Sequence, residues 1–256
     1  VARELMKIQV VSDLHLEFTG MSCELDCVAQ AERDLLIVAG DTAEGTRGQE
    51  WLIRETKEWD QPVVQVMGNH EYYNHDIYFI DEYWVLTEET SLIETLQCRV
   101  FEYEGLRIAG CTLWTDPDAA EQSLLRRGMA DFTLIQSRGN KFTPGMSASI
   151  NQMHRKWLLD QKDIDIVVTH HAPTYQSITP YWQKHGGSLN PGFAGHSDDI
   201  IRQLKPKYWI HGHMHSFMRY WHDDKAGGTQ ILCNPRGYGG SYQETTGFMN
   251  GLIIEV

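Results

Sequence analysis

Asp13, Asp41 and Asn69 recur at intervals of 28 residues, and each follows an apolar run: Lys7-Ile-Gln-Val-Val-Ser, Leu35-Leu-Ile-Val-Ala-Gly and Val63-Val-Gln-Val-Met-Gly. A strand, a crossover helix and a return strand occupy roughly 30 residues. The interval therefore predicts successive parallel strands, each delivering an oxygen-bearing side chain at its carboxyl end, the edge where open α/β sheets assemble their sites. Such spacing restricts the chain to an α/β fold more firmly than any single residue does.

The same grammar continues downstream. Asp165-Ile-Val-Val-Thr feeds His170 and His171, and Tyr208-Trp-Ile-His211 feeds Gly212, His213, Met214 and His215. With His15 and His70 beside the first and third ends, five strand ends offer two Asp, one Asn and several His. Parallel strand ends converge, so a metal site is the economical reading. The donors are carboxylate, carboxamide and imidazole without thiolate, which suits first-row metals better than Mg or Ca. Seven candidate ligands, Asp13, His15, Asp41, Asn69, His170, His213 and His215, are too many for one open ion, and two ions sharing one carboxylate is the natural count.

Composition narrows the partners. The 256 residues carry a net charge of −13, which opposes general binding to nucleic acid or to an anionic membrane. An anionic small substrate stays allowed, because bound cations dominate their own site. No apolar run approaches the roughly 20 residues of a membrane span. The five cysteines lack a Cys-x-x-Cys, so they read as reduced thiols of a cytoplasmic protein, with Cys98, Cys111 and Cys233 buried in strands and Cys23 and Cys27 structural. Residues 1 to 5 are too short and polar for a secretory leader and read as an appendage ahead of Met6. Ligands spread from Asp13 to His215 favour one domain over 1 to 256.

Along the chain, helices are expected at about 48 to 59, after Tyr72 and ending before Leu92, at 147 to 162 and at 197 to 204. A hairpin over 98 to 111 would begin a second sheet. Closing strands are expected at 229 to 234 and 250 to 256. Residues 16 to 33 read as a loop with a short helical piece, and 113 to 146 and 174 to 196 as long substrate-site loops. Arg126, Arg127, Arg138 and Lys141 read as a solvated face. His75, His154, His185, His196 and His222 have no pattern behind them, and His211 is assigned to packing. Trp114, Tyr72 and Tyr181 are candidates for the walls of a cleft.

Asp13-Leu-His15, Gly40-Asp41, Gly68-Asn-His-Glu71, His170 and Gly212-His-Met-His215, in this order and each at a strand end, resemble the motifs of the calcineurin-like metallophosphoesterase superfamily over essentially the whole chain. The resemblance implies a four-layer α/β/β/α sandwich with two mixed sheets and outer helices. It also implies a pair of divalent ions, manganese first and Fe, Ni, Co or Zn as alternatives. Asp13, His15 and His215 would bind one ion, Asn69, His170 and His213 the other, with Asp41 bridging. His70 would act near the leaving group without binding metal. Glu71 departs from the Asp that many members carry where a hydrogen bond supports this histidine. His171, Asn234 and Arg236 are candidates for supporting or substrate contacts, the last two from Cys233-Asn-Pro-Arg-Gly237, which resembles a turn common in bacterial members.

The implied chemistry is hydrolysis of a small phosphodiester or phosphomonoester by a metal-bridging hydroxide, the diester slightly preferred. The competing readings are a protein serine/threonine phosphatase and a non-catalytic scaffold of the same fold. A nuclease is disfavoured by the acidic balance.

Overall fold

The computed structural model describes residues 5–23, 25, 30, 32–87, 92–224, 226–239 and 244–256. Residues 1 to 4, Cys27 and much of the segment before Arg33 lie outside that set.

Among the described residues, β1 (Lys7–Val11), β2 (Leu35–Ala39), β3 (Val63–Val66) and β4 (Ile93–Thr95) are parallel neighbours, with the last strand of the chain antiparallel on the far side of β1. The crossovers run through α1 (Arg47–Thr56) and α2 (Ile77–Thr87). β5 (Arg99–Tyr103) and β6 (Leu106–Cys111) form the expected hairpin and begin a second sheet. Between β6 and the next long strand come α3 (Ala119–Gly128), the single turn α4 (Asp131–Leu134), a minimal hairpin of β7 (Gln136–Ser137) and β8 (Asn140–Lys141), and α5 (Pro144–Leu159). The second sheet continues with β9 (Ile166–Thr169), then α6 (Pro180–His185), α7 (Asp198–Leu204), β10 (Tyr208–His211), β11 (Met218–Trp221) and β12 (Gln230–Cys233). Its order is β11-β12-β10-β9-β6-β5, and β13 (Ile253–Glu255) returns to the first sheet.

Alternation along the strands builds the layers. Ile8, Val10, Ile37, Val64, Ile108, Val168, Ile210 and Leu232 share the cluster between the two sheets. The intervening residues face outward: Val11, Leu36, Val38 and Val63 pack with Trp51 and Leu52 of α1, and Val167, Trp209 and Ile231 with Leu158 of α5 and Ile200 and Ile201 of α7. Both sheets are mixed and helices cover their outer faces, so the expected sandwich is the fold. No described helix is long and apolar enough to cross a membrane.

Segment 113 to 146 is half helical rather than one long loop, and α6 with short helical turns at Tyr175–Ser177 and Gly187–Gly192 occupies much of 174 to 196. Asp118 and Glu121 form a reciprocal capping box that starts α3. Thr143 accepts from the backbone N–H of Met146 with Pro144 at the first helical position, so α5 begins three residues before the expected 147. β4 and β11 lie outside the expected strands, because Ile-Glu-Thr and Met-Arg-Tyr-Trp lack the unbroken apolar run that marks the other strands. Among the cysteines, Cys111 and Cys233 are buried as expected, whereas Cys98 is only half-buried.

Candidate metal centre

The carboxyl ends of β1, β2 and β3 in one sheet and of β9 and β10 in the other meet at one rim. Backbone hydrogen bonds stitch their loops: Asp13 N–H to Gly40 O and His15 N–H to Asp41 O, both 3.0 Å, and Gly212 N–H to His170 O, 3.0 Å. Two side chains tie backbone to backbone, the carboxylate of Asp13 accepting from His213 N–H and that of Asp41 from His70 N–H, each at 2.8 Å. Asp13, His15, Asp41, His213 and His215 all adopt left-handed backbone with φ of 45 to 68°. For residues other than glycine that conformation costs energy and persists where surrounding structure imposes it, most often at functional sites.

Close approach demands glycine at Gly68. A Cβ there would stand 2.7 Å from the backbone nitrogen of Asp41 and 2.7 Å from Cε1 of His170. At Gly40, with φ 84°, it would reach 2.8 Å from Gly68 N. These glycines let the loops of β2 and β3 touch.

Three histidines each hold one ring nitrogen against an acceptor. Nδ1 of His170 lies 3.0 Å from the Ala39 carbonyl, Nδ1 of His215 3.1 Å from both Glu244 oxygens, and Nδ1 of His15 3.3 Å from Glu17. The acceptors place a proton on each Nδ1, so the Nε2 lone pairs point the other way. Those lone pairs converge. Nε2 of His15 faces Nε2 of His215 at 2.9 Å. Nε2 of His170 faces Oδ1 of Asn69 at 3.0 Å, Nδ1 of His213 at 3.2 Å and Oδ2 of Asp41 at 3.3 Å. The amide of Asn69 is oriented by its other end, since Nδ2 donates to Asp131 at 2.9 Å and to the Tyr73 hydroxyl at 3.0 Å.

Acceptors pressed together without protons repel unless a cation lies among them, so the donor set fits metal ions. They fall into groups: Asp13, His15 and His215 offer ligand atoms within 4.8 Å of one another, and so do Asp41, His170 and His213. Oδ2 of Asp41 is also 3.7 Å from Nε2 of His15, which sets this carboxylate between the groups. The structure thus brings the seven expected side chains together at one rim, Asn69 beside the second group. Titration follows the same electrostatics. Without an ion, the Asp41 carboxylate outweighs burial and holds the His170 imidazole up at about 10, so a proton takes the place at Nε2 that a cation would otherwise fill. His213 is pushed well below the usual imidazole range, by burial first and then by the charges of His171 and His170.

His70 is buried at the rim, its ring 4.2 Å from that of Tyr73, and its Nδ1 meets Oε1 of Glu17 at 2.8 Å. Its partner is therefore Glu17, and Glu71 does something else: it accepts from the backbone N–H groups of Gly68, Thr42 and Asp41 at 2.7, 2.6 and 3.0 Å. Burial and the Asp41 charge push the Glu71 carboxyl up to about 8. Glu17, Asp131, Tyr73, Tyr238 and Glu244 stand outside the strand-end pattern that marks the other site residues in the sequence. Only Glu17 offered a sequence cue, two residues beyond His15.

His171 is buried, with Nδ1 3.3 Å from the Thr112 carbonyl and its ring 4.5 Å from that of His213, so it packs behind the ligands. Burial and the charge of His170 press its pKa down to about 3. Asn234 donates to the carbonyls of Val10 and Met249 and accepts from Met249 N–H. Arg236 donates to the Leu14 carbonyl at 2.8 Å. Neither lines the cavity beside the centre, and both fasten backbone beneath it. His211 is held by Ser177 at 2.9 Å, consistent with packing. Trp114 and Tyr72 belong to a buried apolar cluster, and the aromatic walls of the cavity are instead Tyr73, Trp182, Phe193 and Tyr238.

A search of solved structures finds the same architecture. The phosphopantetheinyl hydrolase of Mycobacterium tuberculosis aligns at a TM-score of 0.66 with 19% identity, covering 93% of this chain and 91% of that one. A dimetal phosphatase from Danio rerio aligns at 0.56 with 13% identity, covering 92% and 88%. In sequence, an uncharacterized protein of Acanthamoeba polyphaga mimivirus is 24% identical over 260 residues, 90% of this chain and 91% of its own length. The family model described as calcineurin-like phosphoesterase matches residues 6–217, a span that includes all seven candidate ligands and His70. Motif order, fold and family match agree, and the chain belongs to the calcineurin-like phosphoesterase family.

Proposed function

We propose that this chain is a phosphoric ester hydrolase working with two divalent ions, one held by Asp13, His15 and His215, the other by Asn69, His170 and His213, with Asp41 shared. The observation that carries the reading is the facing of His15 and His215 through Nε2 at 2.9 Å while the opposite nitrogen of each ring is bound to a carboxylate. Mixed nitrogen and oxygen donors suit first-row ions, and manganese is our assignment. When bound, such a pair ionises a water near neutral pH and neutralises charge on a phosphoryl group.

The chain's own groups supply the rest. Asp41 is pinned through Oδ1 by the N–H of His70, so the shared ligand and the proposed acid move as one turn. Glu17 fixes Nδ1 of His70 and leaves the other ring nitrogen to meet the phosphoryl oxygens or to give a proton to the departing alkoxide. Among the described residues no Lys or Arg lines the cavity, so beyond the ions only histidines there, His70 foremost, can offset the second charge of a monoester dianion. That favours a singly charged phosphodiester as substrate.

Metal analysis after loading with Mn(II), together with turnover of bis(4-nitrophenyl) phosphate, tests the reading. Two ions per chain and turnover abolished by a chelator are expected, and Asp41→Asn should lose ions and turnover together. Uptake of at most one ion at saturation, or turnover that survives chelation, would overturn it.

A further inference from the structure

Resting on that reading, we infer that the cavity beside the centre selects phosphate esters whose organic group is uncharged and largely apolar, and rejects those carrying a second anion. The cavity measures about 450 Å³ and opens on Asn69, His70, His213 and His215. That volume lies in the range that encloses a drug-sized ligand. Beyond the metal-ligand edge its walls are mostly apolar, Met129, Ile178, Trp182, Leu189, Phe193 and Met214, with His185 and Asn190 between them.

Charge sorts the possible occupants. The lining carboxylates Asp131 and Glu244 already accept from neighbours, Asp131 from Asn69 and Tyr73, Glu244 from Tyr238 N–H with His215 Nδ1 alongside. Gly128, the C-terminal residue of α3, also lines the cavity, and a helix C-terminus carries partial negative charge. With no Lys or Arg among the described lining residues, a pyrophosphate or carboxylate held there would face mostly carboxylates and apolar wall, with the exposed His185 on α6 the lining group away from the metal-ligand edge able to carry positive charge. Trp182 sits on α6 at the mouth, 48% exposed, with a large apolar face for an incoming group to cover.

The test is a series of 4-nitrophenyl phosphodiesters in which the second ester group is methyl, 4-phenylbutyl, or a chain of the same length ending in carboxylate. Each methylene removed from water is worth roughly fourfold in binding. The Mn-loaded protein is therefore expected to show kcat/KM at least about tenfold higher for the phenylbutyl diester than for the methyl diester, with the carboxylate-tipped diester below the phenylbutyl one by a larger factor. Trp182→Ala should lower the phenylbutyl-to-methyl ratio at least about fivefold. Leu189→Lys should raise the carboxylate-tipped diester relative to the phenylbutyl one. A flat series, or preference for the anion-tipped chain, overturns the inference while turnover of the methyl diester keeps the hydrolase reading. Loss of turnover on all three diesters by the metal-loaded protein defeats that reading instead. Thermal unfolding of each variant separates misfolding from altered preference, and the series on the unsubstituted protein stands without the variants.

Discussion

Nδ1 of His70 stands 2.8 Å from Oε1 of Glu17, and the same oxygen lies 3.3 Å from Nδ1 of His15. One carboxylate thus holds both a proposed metal ligand and the proposed acid, whose rings meet edge to face with centroids 4.3 Å apart. Burial disfavours charge on Glu17, but hydrogen bonds from the two rings outweigh it and hold the carboxyl down at about 2.

Glu17→Gln keeps the shape and removes the charge. Partners that orient ligand histidines are worth roughly 10- to 100-fold. Turnover is expected to fall by about that factor while both ions are retained, as read by metal analysis beside kcat. Unchanged kcat would show that His70 does not need this partner.

His70→Ala removes the acid and leaves all seven proposed ligands. Metal content should stay at the level of the unsubstituted protein. Activity should drop by about 10² to 10⁴ on an alkyl ester, the span general acids contribute. The loss should be much smaller on a 4-nitrophenyl ester, whose departing oxygen needs no proton. Equal losses on both esters would remove the proton-donor role.

Asp131→Ala frees the amide of Asn69, which Asp131 fixes at 2.9 Å. A flipped amide presents N–H groups where an oxygen ligand is required. Affinity for Mn(II) is expected to weaken roughly 10- to 100-fold, with Asp131→Asn retaining more than Asp131→Ala because it keeps an acceptor. Titration calorimetry reads the change, and equal affinities for Asp131→Ala and the unsubstituted chain would contradict it.

Gly68→Ala places a Cβ 2.7 Å from the Asp41 backbone nitrogen, where only backbone movement can relieve it. Overpacking of this kind costs about 1 to 3 kcal/mol. A lower urea midpoint and loss of bound metal are expected together. A variant with unaltered metal content would show that the contact between the two loops can relax freely.

Asp81 on α2 accepts from the buried Tyr72 hydroxyl at 2.8 Å, and burial raises its carboxyl pKa above the ordinary value. A raised acid favours folding below its unfolded pKa of about 3.9, and that contribution is lost as pH rises through the folded value. Asp81→Asn, which keeps an acceptor for Tyr72, should therefore unfold at a higher urea concentration than the unsubstituted chain at pH 7. The difference should shrink toward pH 4. A gap that widens as pH falls would reverse the sign and the argument with it.

Residues adjacent to a strand end are legible in the sequence. The interval separating Asp13, Asp41 and Asn69 implied parallel strands, and β1, β2 and β3 are parallel neighbours in register. Alternation exposed the strands because a side chain points to opposite faces at every second residue. Gly40, Gly68 and Gly212 stand directly before Asp41, Asn69 and His213, and a Cβ at any of them would press on backbone of a neighbouring loop or strand.

Partners distant in sequence were decided by tertiary structure. Glu17 reaches His70 across 53 positions, Asp131 reaches Asn69 across 62, and Glu244 reaches His215 across 29. Apart from the place of Glu17 two residues after His15, nothing in the spacing of these acids distinguishes them from the rest of an acidic chain, and their partners are set only where the loops pack. The same holds for the cavity. Its walls come from α3, α6 and the turns around them, segments whose apolar residues have too short a period to announce a shared face. Local sequence determined which groups the strands would carry to the rim, since pleat and turn sterics act between neighbours. The folded packing alone decided which acid each ring nitrogen meets, since hydrogen bonds form between whatever the completed layers bring within 3 Å or so.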